Sequence, residues 1–477
     1  MSEPAITPHR RLLDLPNEIL RNIMDMVADD HNGKGLEKFR QTCQQATLLA
    51  DPVWLRNIQL ENEFQCKKLD VVLKAAEHRK HYVEEMEIYL DADDSWEEDE
   101  AIRMLGFISR LPRLKRLAVR YNEGYDEEGM AELCTDFWGD TLNDELQNSH
   151  FAELEEFTIE LTIQGSYSLS LVPLLGAPKL RRLDLHNLNL TQLQLDEIPS
   201  SSTCLTRLKF WTCVFDKESM RSILSKPRKL ESLTLDGLWH ERNNPKGYSG
   251  MKPHDEVTTL QEMLQIIAQE QPELENLTST LHYPSTLRGQ WKDEIRFDQL
   301  QNLKNLNIRA IENKKGEPLW RPVHALYDLP ASIEHIKLTM VCGGLDFAGL
   351  VDALLDPKET AASLPTSLCH LEIDTGEKSE DWDNKDSMDR DLRENIGRLM
   401  AGSALPKLIY RQTHCRPVHL RDGQIRSRHW IRELTALRKV AIDRKSVSKL
   451  DEPYSLTEKT SAEDCPDQSM EFVDLCR

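Results

Sequence analysis

The sequence predicts an α/β chain in which a small N-terminal group of helices precedes an irregular strand-helix solenoid. Three observations predict it. An amphipathic stretch, "LLDLPNEILRNIMDMV", lies close to the start; a six-residue phrase of the form apolar-x-x-apolar-x-apolar returns twelve times from residue 83 onward; and helical patterns fill several intervals between its copies.

A chain of 477 residues can bury a sizeable core. Its 60 Lys and Arg against 81 Asp and Glu leave a net charge of −21, which argues against a surface that tracks nucleic acid or anionic lipid throughout. Ten cysteines run from Cys43 to Cys476 without a Cys-x-x-Cys pair, so reduced thiols are expected rather than a disulfide framework or a zinc knuckle. "MSEPAITPHRR" carries no apolar signal core and no stretch approaches about 18 consecutive apolar residues. A cytoplasmic or nuclear protein without a membrane partner is expected.

Residues 1–10 read as a flexible N-terminus. The first helix is expected to begin near Leu15, because Pro16 suits a first helical turn and Glu18 favours the positive helix end. Ile19, Ile23 and Met26/Val27 recur at helical spacing, with Leu20 broadening the stripe and Asn17, Arg21, Asn22 and Asp25 on the other side. "DDHNGKG" breaks this helix. A second helical pattern runs through Leu36, Phe39, Cys43 and Ala46–Leu49, and "ADPVWLRNIQL" closes the segment.

Residues 11–60 resemble an F-box. "LLDLPNEIL" follows that family's opening of an apolar residue, Leu-Pro, a variable residue, Glu and an Ile/Leu pair. "LEKFRQTCQQATLLADPVWLRNIQL" resembles its second half, with a Cys within an apolar helix and a Pro and Trp near the end; Gln44 and Gln45 stand where an aromatic or basic residue is usual. The resemblance implies docking onto a Skp-family adaptor and, through it, a cullin ligase. It implies that Leu15, Pro16, Ile19, Leu20 and Ile23 form the first contact ridge, supported or extended by Leu36, Cys43 and Trp54.

Residues 61–450 are expected to form the solenoid. The phrase appears as "VEEMEI" at 83, "LKRLAV" at 114, "LEEFTI" at 154, "LRRLDL" at 180, "LTRLKF" at 205 and "LESLTL" at 230, then "LENLTS" at 274, "LKNLNI" at 303, "IEHIKL" at 333, "LCHLEI" at 368, "LPKLIY" at 405 and "LRKVAI" at 437. In "LTRLKFWTCVF", Leu205, Leu208, Phe210, Cys213 and Phe215 all take apolar positions, so Cys213 is expected to be buried. This array resembles leucine-rich repeats, especially the divergent ones of fungal F-box proteins. "KESMRSILSKP", "VTTLQEMLQIIAQEQP", "FAGLVDALLDP" and "RDLRENIGRLMAG" supply candidate outer helices. The polar stretches 91–100, 121–150, 240–256 and 376–391 read as surface loops, and 451–477 as a disordered tail.

Side chains between the apolar positions of a strand point away from the core. Taken in order they are Glu156, Thr158, Glu160; Arg182, Asp184, His186; Arg207, Lys209, Trp211; Ser232, Thr234, Asp236; Asn305, Asn307, Arg309; His335, Lys337, Thr339; and His370, Glu372, Asp374. Arg182, Arg207, Lys209, Trp211 and Arg309 are the candidate substrate-binding residues, suited to an acidic or phosphorylated segment of an unidentified protein. Residues 407–449 hold twelve Lys/Arg and three Asp/Glu, a basic segment expected to pair with the acidic loops and tail rather than to bind nucleic acid specifically.

No Gly-x-Ser-x-Gly, phosphate-binding Gly loop or His-Glu-x-x-His is present, and the 15 histidines do not cluster at ligand spacing. No cofactor, metal or catalytic residue is expected. The function that the F-box resemblance implies is the non-catalytic substrate-recognition subunit of a Skp-cullin-F-box (SCF) ubiquitin ligase. The alternative is a leucine-rich-repeat scaffold or interaction protein with no ligase role, its first helices only capping the repeats.

Overall fold

The computed structural model describes residues 15–30, 34–42, 44–91, 103–122, 131–149, 151–161, 169–211, 213, 215–236, 260–282, 296–311, 329–341, 351, 365–375, 385–402, 405–419, 425–438 and 454–464. The fold is mixed α/β, with mostly parallel strands and accompanying helices. It divides into two compact units, residues 1–189 with 195–205, and residues 190–194 with 206–477.

The first unit opens with α1 (Asn17–Asp30), α2 (Lys34–Arg40) and α3 (Gln44–Trp54). These helices form a core of their own from Leu20, Met24, Leu36, Ala50 and Val53, with Leu15, Val27, Phe39, Leu49 and Trp54 packed against it. The single helical pattern read over 36–49 is two helices. The chain turns after Arg40, where Thr42 Oγ1 donates to Phe39 O at 2.8 Å and Thr47 Oγ1 to Arg40 O at 2.7 Å, local bonds that compete with helix continuation. Beyond lie β1 (Asn57–Leu60), α4 (Glu63–Ala75), a 3-10 turn (Glu77–Tyr82), β2 (Glu85–Asp91), β3 (Arg116–Asn122), α5 (Ala131–Asn148), β4 (Glu156–Leu161), α6 (Val172–Leu175) and β5 (Arg182–His186).

The second unit contains β6 (Arg207–Trp211), α7 (Lys217–Leu224), β7 (Ser232–Asp236), α8 (Leu260–Glu270), β8 (Asn276–His282), β9 (Asn305–Ile311), β10 (His335–Val341), β11 (His370–Thr375), α9 (Lys385–Gly402), β12 (Lys407–His419), β13 (Ile425–Arg438) and β14 (Tyr454–Asp464).

Eleven copies of the phrase enter a strand two residues after their first apolar residue. Those first residues, from Val83 and Leu114 through Leu368 and Leu405, are each at most 3% exposed. Parallel pairing then aligns equal positions of successive phrases. Met86, Leu117, Phe157 and Leu183 stack in the first unit. Leu208, Leu233, Leu277, Leu306, Ile336, Leu371 and Leu408 stack in the second. One slipped residue would turn each apolar set outward, so burial of this face fixes the register.

The backbone repeats as well. Glu84 O accepts from the N–H groups of Lys115 and Arg116, Lys115 O from Glu155 and Glu156, and Glu155 O from Arg181 and Arg182. Glu275 O serves Lys304 and Asn305, Lys304 O serves Glu334 and His335, and Glu334 O serves Cys369 and His370. One carbonyl before each of these strands thus satisfies two donors of the next repeat.

Several sequence expectations are corrected. "LRNIQL" at 55 has the repeat pattern and forms β1, which pairs in parallel with β2; placed with the helical segment, it escaped the repeat count. "LRKVAI" at 437 is not a further parallel copy. It starts at the end of β13, which runs antiparallel to β12, and its Leu437 is 42% exposed.

The expected loop 121–150 holds α5, whose Leu142 and Leu146, four residues apart, are buried although Asp, Asn and Glu surround them in the sequence. The expected loop 376–391 includes the start of α9. The tail expected to be disordered forms β14 over Tyr454–Asp464, antiparallel to β13; an edge strand is held by backbone hydrogen bonds and needs few apolar side chains. Residues 1–10 and the loop 240–256 lie outside the described residues, as does all of 347–357 except buried Val351.

Candidate binding surfaces

Two stripes run along α1. Leu20, at 1% exposure, and Met24, at 3%, face the helical core. Pro16, Ile19, Ile23 and Met26 recur at intervals of three, four and three residues and form the other stripe. Pro16 is exposed and Ile23 half-buried, while Ile19 is 46% and Met26 62% exposed. Leu48 on α3 adds a further apolar side chain at 63% exposure.

The eight residues read as an adaptor contact set therefore divide. Pro16 and Ile19 are open to solvent, Leu15, Ile23 and Trp54 are partly covered, and Cys43 lies outside the described residues. Leu20, read as part of the contact ridge, and Leu36, read as supporting or extending it, are each 1% exposed and belong to the helical core. Both fall on the side where α1, α2 and α3 meet. Trp54 lies under Arg40, whose guanidinium carbon sits 4.2 Å from its ring centroid.

The outward residues of the first unit are largely matched among themselves. Arg120 Nη2 lies 3.0 Å from Glu87 Oε1, Gln59 Nε2 donates to Glu87 Oε2 at 3.0 Å, and Arg116 pairs with Glu85. Arg182 donates through Nε at 3.1 and 3.2 Å and through Nη2 at 2.6 Å to the Asp184 carboxylate two residues on. That hydrogen bonding, opposed by burial, holds its guanidinium above the usual range. A proposed anion reader is thus already engaged within its own strand.

The remaining substrate candidates belong to the second unit. Arg207 is exposed, and Lys209 and Trp211 are half-buried, with Lys209 Nζ 4.9 Å from the Trp211 ring centroid. Arg309 contributes backbone pairing in β9, and its side chain lies outside the described residues. Cys213 is buried, with Sγ 3.5 Å from Trp211 O.

A different part of this sheet is concave. A cavity of about 330 Å³ opens on the outward face of β8–β11, lined chiefly by Asn305, Asn307, His335, Lys337, His370 and Glu372, with Asn276 and Thr278 at its β8 side. Parallel register creates it, placing Asn276, Asn305, His335, His370 and Lys407 in one row and Thr278, Asn307, Lys337 and Glu372 in the next. Asn305 Nδ2 donates to Asn276 Oδ1 at 2.6 Å, and Lys337 Nζ to Glu372 Oε1 at 2.8 Å. The His335 and His370 rings meet edge to face with centroids 5.4 Å apart.

Two polar atoms in this lining, His370 Nε2 and Asn307 Oδ1, are shielded from solvent and have no hydrogen-bond partner among the described residues. Burial, then the Lys407 and His335 charges, push the His370 imidazole below its usual range; Glu372 opposes them. The neutral ring is therefore favoured in a locally electropositive setting.

The outward positions of the phrases already named most of these residues, but one phrase at a time. Selection by charge favoured arginines, whereas the geometry gathers amides and imidazoles. Two histidines at the same phrase position, at 335 and 370, were the available signal.

Among the described residues, no group of three or more His, Cys, Asp or Glu is placed to hold a metal ion. Among them also, no helix is long and apolar enough to cross a membrane. No protein-family model matches the chain, and no curated protein matches it.

Proposed function

We propose that the chain is the substrate-recognition subunit of an SCF-type ubiquitin ligase, docking a Skp-family adaptor through its N-terminal helices and a target protein through the strand face. The observation that supports this reading is the outer stripe of α1. Ile19 and Met26, with Leu48 of α3, remain exposed although α1, α2 and α3 already possess a separate core. Apolar residues left on the surface of a small, internally packed module mark a surface for a partner. The chain's role in catalysis is then proximity, holding a target beside a ubiquitin-conjugating enzyme carried by the cullin.

Co-purification of the full chain with a Skp-family adaptor tests the reading. Wild type is expected to retain the adaptor and Ile19→Asp to lose it. Failure of the wild type to bind removes the ligase assignment and favours the scaffold alternative.

A further inference from the structure

The lysine and the carboxylate that line the β8–β11 cavity are matched to each other. Lys337 Nζ lies 2.8 Å from Glu372 Oε1, and burial is the largest influence holding the His370 imidazole in its neutral form. A charged ligand would meet a charge that its neighbour already balances. What the lining offers instead is a mixture of donors and acceptors in a small space: the amides of Asn305 and Asn307, the imidazoles of His335 and His370, and the two ends of the ion pair.

Two of these groups are unanswered. His370 Nε2 and Asn307 Oδ1 are shielded from solvent and have no hydrogen-bond partner among the described residues. Buried polar groups are ordinarily hydrogen-bonded, so two unmet ones in the wall of an open cavity mark a place for a polar ligand. A hydroxyl donates and accepts at once, and therefore answers a neutral imidazole nitrogen or either end of an amide. An anion only accepts.

Register sets the size of the site. Asn305, His335 and His370 form one row across β9, β10 and β11, and Asn307, Lys337 and Glu372 form the next. With strands about 4.8 Å apart and rows two residues apart, this patch measures about 10 by 7 Å. The cavity of about 330 Å³ is at the small end of ligand pockets, which run from about 300 to 1,000 Å³. One pyranose ring, with hydroxyls around its whole rim, suits groups that arrive from three strands. A nucleobase keeps its polar atoms on its edges and needs a face to stack on. The lining has no Trp, Tyr or Phe, and its two imidazoles meet each other edge to face.

We infer that the β8–β11 cavity binds one neutral hexose, whose hydroxyls are held by Asn307, His370 and the Lys337–Glu372 pair. The site lies within the second unit and stands or falls separately from adaptor docking.

The test uses the full chain with ring-13C histidine, titrated by NMR with D-glucose, D-galactose and D-mannose. Cyclohexanol, adenosine and inorganic phosphate are titrated in parallel. The His370 signal is the one missing from His370→Gln. At least one hexose is expected to move it with a dissociation constant on the order of 1 mM or tighter, and to bind at least about tenfold more tightly than cyclohexanol. Glu372→Gln and Asn307→Leu are each expected to weaken that hexose by about tenfold. Its methyl glycoside separates two sources of the same chemistry: equal binding supports the end of a glycan chain, and weaker binding supports a free sugar.

A His370 signal that no hexose moves overturns the inference. Cyclohexanol binding as tightly overturns recognition through hydroxyls, and adenosine or phosphate binding more tightly than every hexose reassigns the cavity to a base or an anion. Folded variants that bind like wild type overturn the assigned contacts. If a variant melts below wild type, the comparison of the hexoses with cyclohexanol on wild type decides alone.

Discussion

Arg79 Nε donates to Asp51 Oδ2 at 2.8 Å across 28 residues of sequence, and Arg79 Nη2 lies 2.7 Å from the same oxygen. Arg40 Nε takes the other carboxylate oxygen, and Arg79 Nη1 donates to Val72 O at 3.1 Å. Asp51, only 3% exposed, therefore ties α2 and α3 to the 3-10 turn before β2. The helical module and the first strands of this unit are joined by more than the chain between them.

Breaking a buried pair from one side costs about 3–5 kcal/mol, because the partner charge stays buried. The two arginine side chains keep 15% and 16% of their surface in water, which places Asp51→Ala near the low end, about 3 kcal/mol. Guanidinium denaturation of the full chain measures it. A loss below about 1 kcal/mol would mean that the network behaves as a surface ion pair.

Gln271, 3% exposed, follows α8 and uses all of its amide. Its Nε2 donates to Leu224 O at 2.7 Å and Pro227 O at 3.1 Å, while its Oε1 accepts from Leu230 N at 2.9 Å. The side chain caps the segment between α7 and β7 from 41 to 47 residues away in sequence. Gln271→Leu keeps similar bulk but strands three buried backbone groups, an expected loss of about 3 kcal/mol. Urea unfolding should show that loss with an unchanged m-value; a neutral substitution would show that water replaces the amide.

The parallel strands were legible because burial and alternation leave the same mark in every copy: Leu208 and Phe210, like Leu233 and Leu235, are two apart and buried. What lay between strands was less legible. In α5 the buried Leu142 and Leu146 sit among Asp, Asn and Glu, so composition pointed to a loop. The cavity was hidden for another reason. Its lining comes from four phrases whose starts span residues 274 to 368, and only their register makes His335 and His370 neighbours. Periodicity says which side a residue faces, but not whether Arg182 will meet its own Asp184 before any ligand.

Asp216 caps α7 and makes stability sensitive to acid. Its carboxylate accepts from Ser219 N at 2.8 Å, Ser219 Oγ at 3.0 Å and Gln192 N at 2.5 Å. Burial is the largest single influence and pushes its pKa up, but these bonds together outweigh it and hold the pKa below the ordinary 3.8. The depressed pKa means that the contribution is complete above 3.8 and is lost as pH falls from there through the folded value. Asp216→Ala should cost about 1–2 kcal/mol at neutral pH, with the difference from wild type narrowing in acid. Thermal melts at pH 7 and on descent below pH 4 check both parts; a constant difference would assign the effect to packing alone.

Ile19 and Leu20 are adjacent in α1 and should fail in opposite ways when changed. Leu20 is 1% exposed in the core shared with Leu36 and Val53, so Leu20→Ala should destabilise the helical module by about 2–5 kcal/mol. Ile19 is 46% exposed and lies outside that core, so Ile19→Asp should leave stability within about 0.5 kcal/mol. In an adaptor pull-down, Ile19→Asp should nevertheless lose capture, because a buried carboxylate in an apolar interface lacks a partner. Paired denaturation and capture measurements separate the two roles. If Ile19→Asp unfolds the module, the outer stripe is structural; if it stays folded and still captures the adaptor, the stripe is not the docking surface.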